Sequence, residues 1–182
     1  MELDRLKSIY RRAYVSDGSR RENSAEHSWH LALALLALQE WMPEDIDVDH
    51  AIRIALVHDI CEIGAGDISV YDPDRSKQAA REAAYIAEFS TNHAGLGSEV
   101  ATLWREYEDQ QTQESRWVKI ADRFLPFLLN LASEGRTWKE QGISRSQVLE
   151  VNKSILAISP DFHEWMVGKI DKAVELGWLK DA

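Results

Sequence analysis

The sequence predicts an all-α fold, and three observations predict it. Apolar residues recur at three- and four-residue spacing along most of the chain, clear β alternation is absent, and helix start and stop signals punctuate the pattern at regular intervals. The first helix is expected over "LDRLKSIYRRAY", followed by the loop "SDGSRREN". Asn23 and Glu26 form a capping-box pattern that starts a second helix, running to about Trp41. "MPEDIDVD" connects to a third, with Asp47 or Asp49 as its cap. That helix, "HAIRIALVHDICEI", is ended by Gly64 and Gly66.

After the loop "DISVYDPDRS" comes an alanine-rich fourth helix, "KQAAREAAYIAEF". "SEVATLWREYED" is the fifth, with Leu103 and Tyr107 one turn apart. "TQESRWVKIADRFLPFLLNLASEG" is a long sixth helix closed by Gly135. Pro126 removes the donor that would bond the carbonyl of Asp122, so a bend is expected just after that residue. "SRSQVLEVNKSILAIS" and "PDFHEWMVGKIDKAVELG" supply the last two helices, the second opened by Pro160 and closed by Gly177. With no repeat, linker or break in composition, one domain over residues 1–182 is expected. Its motifs lie within about 1–130, and C-terminal helices follow over about 144–177.

Composition excludes several function classes. Hydrophobic residues make up 45% and charged ones 29%, the usage of a globular chain. A formal net charge of −10 disfavours a nucleic-acid polymer as partner, because affinity for a phosphate backbone comes from Lys and Arg. A small phosphate ester remains compatible with it, held by some of Arg11, Arg12, Arg20 and Arg21. One cysteine, Cys61, allows no internal disulfide and fits a reducing cytoplasm. "WHLALALLALQEWM" is too short to span a bilayer, and "MELDRLKSIY" lacks a signal peptide's apolar stretch. A soluble cytoplasmic protein is expected.

Ionisable residues interrupt three of the apolar helices. His27 stands ahead of "LALALLAL", His58 and Asp59 follow "IALV", and Asp122 lies inside "WVKIADRFLPFLL". Imidazole with carboxylate suits a divalent cation: Mn²⁺, Co²⁺, Zn²⁺, Fe²⁺ or Mg²⁺. His58 and Asp59 point about 100° apart on a helix, so both reach one ion only from a cleft beside it. His27 and Asp122 would complete a four-ligand set, and the remaining coordination positions would admit water or substrate. Taken singly, each residue has an ordinary structural explanation, and an "HD" dipeptide alone carries little weight. The ordered string "ENSAEHS", "ALVHDICEIGAGDI" and "LWREYEDQQTQESRWVKIADR" carries the inference. "EHSWH" lacks the four-residue spacing of a zinc-protease helix, and Cys61 reads as a buried thiol.

This string resembles the HD-domain metal-dependent phosphohydrolases, in particular their 5'-deoxynucleotidase branch. The resemblance covers about residues 1–130 and is most specific in "EHS", "HDICEIGAGDI" and "KIADR". It implies an HD-domain helical bundle and one divalent ion held by His27, His58, Asp59 and Asp122. It also implies catalytic roles for Glu62 and Asp67, the latter as a contact near the sugar or the attacking water. Arg12 matches the branch's phosphate-binding arginine, although which of Arg11 and Arg12 enters the site stays open. The implied substrate is a deoxynucleoside 5'-monophosphate, hydrolysed to deoxynucleoside and phosphate by water that the ion activates. The implied assembly is a homodimer. The alternatives are an HD hydrolase for another nucleotide or small phosphate ester, and a non-catalytic HD interaction module.

Overall fold

The computed structural model describes residues 1–182, apart from the side chains of Arg75 and Ser76. The chain is predominantly helical, as expected, but it opens differently. A 3-10 helix over Glu2–Ser8 gives way to a hairpin of β1 (Tyr10–Tyr14) and β2 (Arg21–Asn23), paired antiparallel. The turn is fastened by Val15 N–H on the carbonyl of Arg20, and Asp17 accepts from the Ser19 amide at 2.9 Å. Gly18 takes the φ of +69° that the turn requires. Leu3, Leu6, Tyr10 and Tyr14 imitate a helical stripe, but Tyr14 belongs to contacts far along the chain. Its ring lies under the guanidinium of Arg136 at 3.7 Å, and its hydroxyl donates to Glu140 at 2.9 Å. Those contacts hold the segment extended.

Helix α1 (Ser24–Leu38) begins at the expected capping box, with Asn23 accepting from the Glu26 amide. Helix α2 (Val48–Val57) is capped by Asp47, and it packs against α1, α5 (Leu96–Asp109) and α6 (Gln113–Ala132). Leu31, Leu35, Ile54, Val118 and Ile120 are buried where these helices meet. A second apolar cluster joins Ile60, Cys61 and Ile63 to Phe89 and Trp104, covering the other side of the turn after α2.

The third helix is shorter than expected. The chain tightens after Val57: Ile60 N–H bonds the carbonyl of Val57, Glu62 that of Asp59, and Ile63 that of Ile60. A one-turn helix α3 (Glu62–Ala65) follows. Gly64 lets α3 lie against α4 (Arg75–Asn92), since a β-carbon there would meet the ring of Tyr85 at 2.3 Å.

Helix α6 continues through Pro126. A short helix, α7 (Arg136–Gln141), follows Gly135, whose φ is +71°; the sequence reading had no element there. The expected helix over 144–159 divides into α8 (Arg145–Asn152) and a 3-10 segment, Lys153–Ala157. Helix α9 (Pro160–Glu175) starts at its proline. Among the described residues no helix is long and apolar enough to cross a membrane.

Candidate functional site

Three helices and the turn after α2 bring the singled-out residues together. His27 shares its face of α1 with Leu31 and Leu35, at i, i+4 and i+8, so the packing that buries those leucines also buries the imidazole. Asp122 sits between Val118 and Leu125 on the inward face of α6. His58 is the last residue to take a helical bond from α2, and the tightened turn carries Asp59 beside it.

His27, His58 and Asp59 each offer a ligand atom, and these atoms all lie within 4.8 Å of one another. Asp122 adjoins them, its Oδ1 3.1 Å from His27 Nε2 and 3.8 Å from His58 Nε2. His58 Nδ1 donates to the carbonyl of Ala55 at 2.7 Å, which fixes the ring with Nε2 turned toward the carboxylates. That atom is buried, 3.1 Å from Asp59 Oδ1, and has no hydrogen-bond partner. A buried imidazole nitrogen without a hydrogen-bond partner, set beside two carboxylates, fits a divalent cation.

The electrostatics agree with that fit. Burial pushes the carboxyl of Asp59 up, but His58, Arg11 and His27 outweigh it and hold the group ionised. For Asp122 burial is again opposed, by the hydrogen bond to His27 and the charge of Lys119, and the carboxyl falls well below its ordinary range. Burial and Arg11 lower His27, whereas hydrogen bonds to Asp122 and Glu22 and the charge of Asp59 raise it, and the net result is about 9. Tyr107, one turn beyond Leu103 on α5, donates its hydroxyl to Asp122 Oδ2 at 2.6 Å and accepts from Lys119 Nζ at 2.7 Å. Burial and Asp122 together keep the phenol protonated.

Glu62 and Asp67 stand on the same wall. Glu62 is buried, and one of its oxygens accepts from Ser24 Oγ at 2.5 Å. Burial and the charge of Asp59 raise its carboxyl well above the usual range, against the opposing pull of Arg11 and Ser24. Burial raises Asp67 too.

Of the two adjacent arginines, Arg11 reaches the carboxylates. Its Nη1 lies 2.5 Å from Asp59 Oδ2, 3.6 Å from Glu62 and 4.0 Å from Asp67, and its Nη2 lies 4.0 Å from Asp122. Burial lowers its proton affinity, but these four carboxylates more than restore it. Arg12 is exposed on β1, yet it lines the same cavity and its charge acts on Asp67. Arg20 and Arg21 are engaged elsewhere, on Glu26 and Glu140 at 2.8 and 2.9 Å.

The sequence reading missed Glu22 and Ser24. Glu22 is buried between Arg11 Nε at 3.7 Å and His27 Nδ1 at 3.5 Å. The available signal was its place just ahead of a capped apolar helix, where a buried acid needs a partner. Also missed was the contribution of the C-terminal third: Thr137, Trp138, Gln141, Val151 and Asn152 line the same cavity as Arg11 and Asp59.

Residues 3–162 match the family model described as HD domain. A 5'-deoxynucleotidase of Dictyostelium discoideum is 33% identical over 128 residues, a match covering 66% of this chain and 67% of that protein. A human 5'-deoxynucleotidase is 30% identical over 124 residues, covering 66% of this chain and 59% of its own length. The chain therefore spans only part of the curated relatives it matches. A crystal structure from Magnetospirillum magnetotacticum, described as a predicted metal-dependent phosphohydrolase, superposes with a TM-score of 0.92 at 36% identity. That likeness covers 98% of this chain and 91% of the other.

Proposed function

This chain belongs to the HD-domain family, and from that premise we propose that it is a divalent-metal-dependent 5'-deoxynucleotidase. The observation that carries the reading is the convergence of two imidazoles, two ionised carboxylates and one guanidinium at one point, with His58, Asp59, Asp122 and Arg11 lining the cavity and His27 buried behind them. His27, His58, Asp59 and Asp122 would hold the ion. When bound, such an ion activates water near neutral pH and neutralises charge on the phosphoryl oxygens.

The chain's own residues then supply the rest. Arg11 carries five donors in a fixed fork, and those not committed to Asp59 hold the phosphoryl oxygens in a bidentate pair. Arg12, exposed and lining the same cavity, guides the phosphate. Glu62 keeps one oxygen fixed on Ser24 and turns the other toward Arg11 at 3.6 Å, and its raised proton affinity suits it to take up and return a proton. It takes a proton from the attacking water as the new oxygen–phosphorus bond forms. It returns that proton to the 5'-oxygen as the ester bond breaks. Asp67, close to Arg11, accepts from a sugar hydroxyl. Glu22 orients both His27 and Arg11.

Two further readings go with this one. Cys61, the single thiol and free, supports a reducing cytoplasm. Trp29, Leu33 and Leu36 share one exposed face of α1, which supports a homodimer joined there. The test is phosphate release from ribo- and deoxynucleoside 5'-monophosphates with Mn²⁺, Co²⁺, Mg²⁺ and Zn²⁺ added separately. Metal-dependent release favouring the deoxy series is expected; no release with any ion would overturn the reading.

A further inference from the structure

The cavity is larger than the chemistry of phosphate release needs. Arg11 and the four groups around the cation position account for a phosphoryl group, and none of them addresses what lies beyond the sugar. Much of the remaining lining comes from α6, α7 and α8, and the loop before α4 adds Ile68, Ser69, Val70 and Tyr71. Phe127, Trp138, Val151 and Tyr71 give it apolar and aromatic walls, the surroundings a flat heterocycle prefers.

Three carboxamides interrupt those walls, and Asn130 is engaged within the chain by its Nδ2 on the carbonyl of Pro126 and its Oδ1 on the Trp138 amide, which leaves Gln141 and Asn152. Asn152 is buried, and its Nδ2 donates to the carbonyl of Val148 at 2.8 Å, which fixes the orientation of the amide. Its Oδ1 is buried without any partner. An unpaired carbonyl oxygen in such a place is costly unless a ligand's N–H completes it. Gln141, half-buried at the end of α7, lines the same cavity and brings both a donor and an acceptor. The wall they stand on is anchored to the site. Asn130 accepts from the Trp138 amide at 3.2 Å, and Thr137 Oγ1 donates to the carbonyl of Arg12 at 3.3 Å.

We propose that Gln141 and Asn152 read the base of the nucleotide, Asn152 Oδ1 accepting from an N–H on the base edge and Gln141 pairing beside it. The inference rests on the phosphatase reading and adds to it the part of the molecule that sets substrate preference. A phosphorylated sugar without a base fills the phosphate end and leaves Asn152 unsatisfied.

The test compares kcat/KM of the metal-loaded protein on the four deoxynucleoside 5'-monophosphates with that on deoxyribose 5-phosphate. The unmodified protein is expected to prefer at least one nucleotide over the sugar phosphate. Gln141→Leu and Asn152→Leu are each expected to lower the ratio of the two values by about tenfold and to flatten the preference among bases. Gln141→Leu alters a half-buried side chain and keeps the test decisive if Asn152→Leu does not fold. An unchanged ratio in the folded variants overturns the proposal. So does equal hydrolysis of nucleotide and sugar phosphate by the unmodified protein, a result that leaves the phosphatase reading standing. Hydrolysis of neither compound removes the phosphatase reading and this inference with it.

Discussion

Arg11 and Asp59, 48 positions apart in sequence, meet at 2.5 Å where the β-hairpin crosses the turn after α2. The contact places one positive charge among four carboxylates, so Arg11 has an electrostatic duty besides any contact with substrate. Arg11→Ala is expected to leave Asp59, Glu62 and Asp67 uncompensated and to destabilise the fold by about 3 kcal/mol. Activity should fall at least a hundredfold, mainly through KM. Arg12→Ala, which alters an exposed side chain, should change stability by less than about 0.5 kcal/mol. Thermal melts and steady-state kinetics on the two variants, measured side by side, check the assignment.

Glu62→Gln is expected to retain the bound metal and lose nearly all turnover. Metal content by elemental analysis, with phosphate release on the same sample, separates the two effects, and undiminished turnover would remove Glu62 from the chemistry. Ser24→Ala acts one step away. The Ser24 hydroxyl stabilises the ionised carboxyl, so its loss should raise the proton affinity of Glu62 further and move the acid limb of the pH–rate profile to higher pH.

Metal removal should expose the charge balance at His27. Its folded pKa is raised from 6.5 to about 9. The stabilisation from its protonation is therefore complete below pH 6.5 and is lost as pH rises through about 9. Glu62, also raised, pulls in the same direction. The chelated protein should thus melt at progressively lower temperature across that window. Affinity for the cation should rise over the same interval, because binding displaces the His27 proton. Melting curves with and without chelator between pH 6 and 9 measure both.

Gly64→Ala brings a methyl group to 2.3 Å from the Tyr85 ring, so α3 and α4 must separate. A loss of about 1–3 kcal/mol is expected. Because α3 carries Glu62, turnover should fall more than metal binding does. Denaturant unfolding and a metal titration on the variant distinguish the two.

The helical frame was legible because its signals are local. The capping box at Asn23 and Glu26, the Asp47 cap and the proline opening α9 all act within one turn of the residues that announce them. The grouping of His27, His58, Asp59 and Asp122 was legible for a different reason: polar residues interrupted apolar faces whose packing partners the pattern already implied. The hairpin was not legible. Tyr10 and Tyr14 keep helical spacing, and what holds them extended is Arg136 and Glu140, more than a hundred positions away. That single misreading also concealed which arginine meets the carboxylates, since on β1 Arg11 is half-buried against Asp59 and Arg12 is exposed. Asn152 sits in a segment read as continuous helix, and only the fold brings it to the cavity that contains Asp59.

The ring of Tyr14 is clasped by Arg136 on α7 and Arg21 on β2, with guanidinium carbons 3.7 and 4.8 Å from its centre. Strand and helix are thereby riveted together, and they carry Arg11 and Gln141 on their respective sides of the cavity. The gap from guanidinium to carboxamide is a built-in gauge: a molecule engaging both is measured for length before any bond is broken.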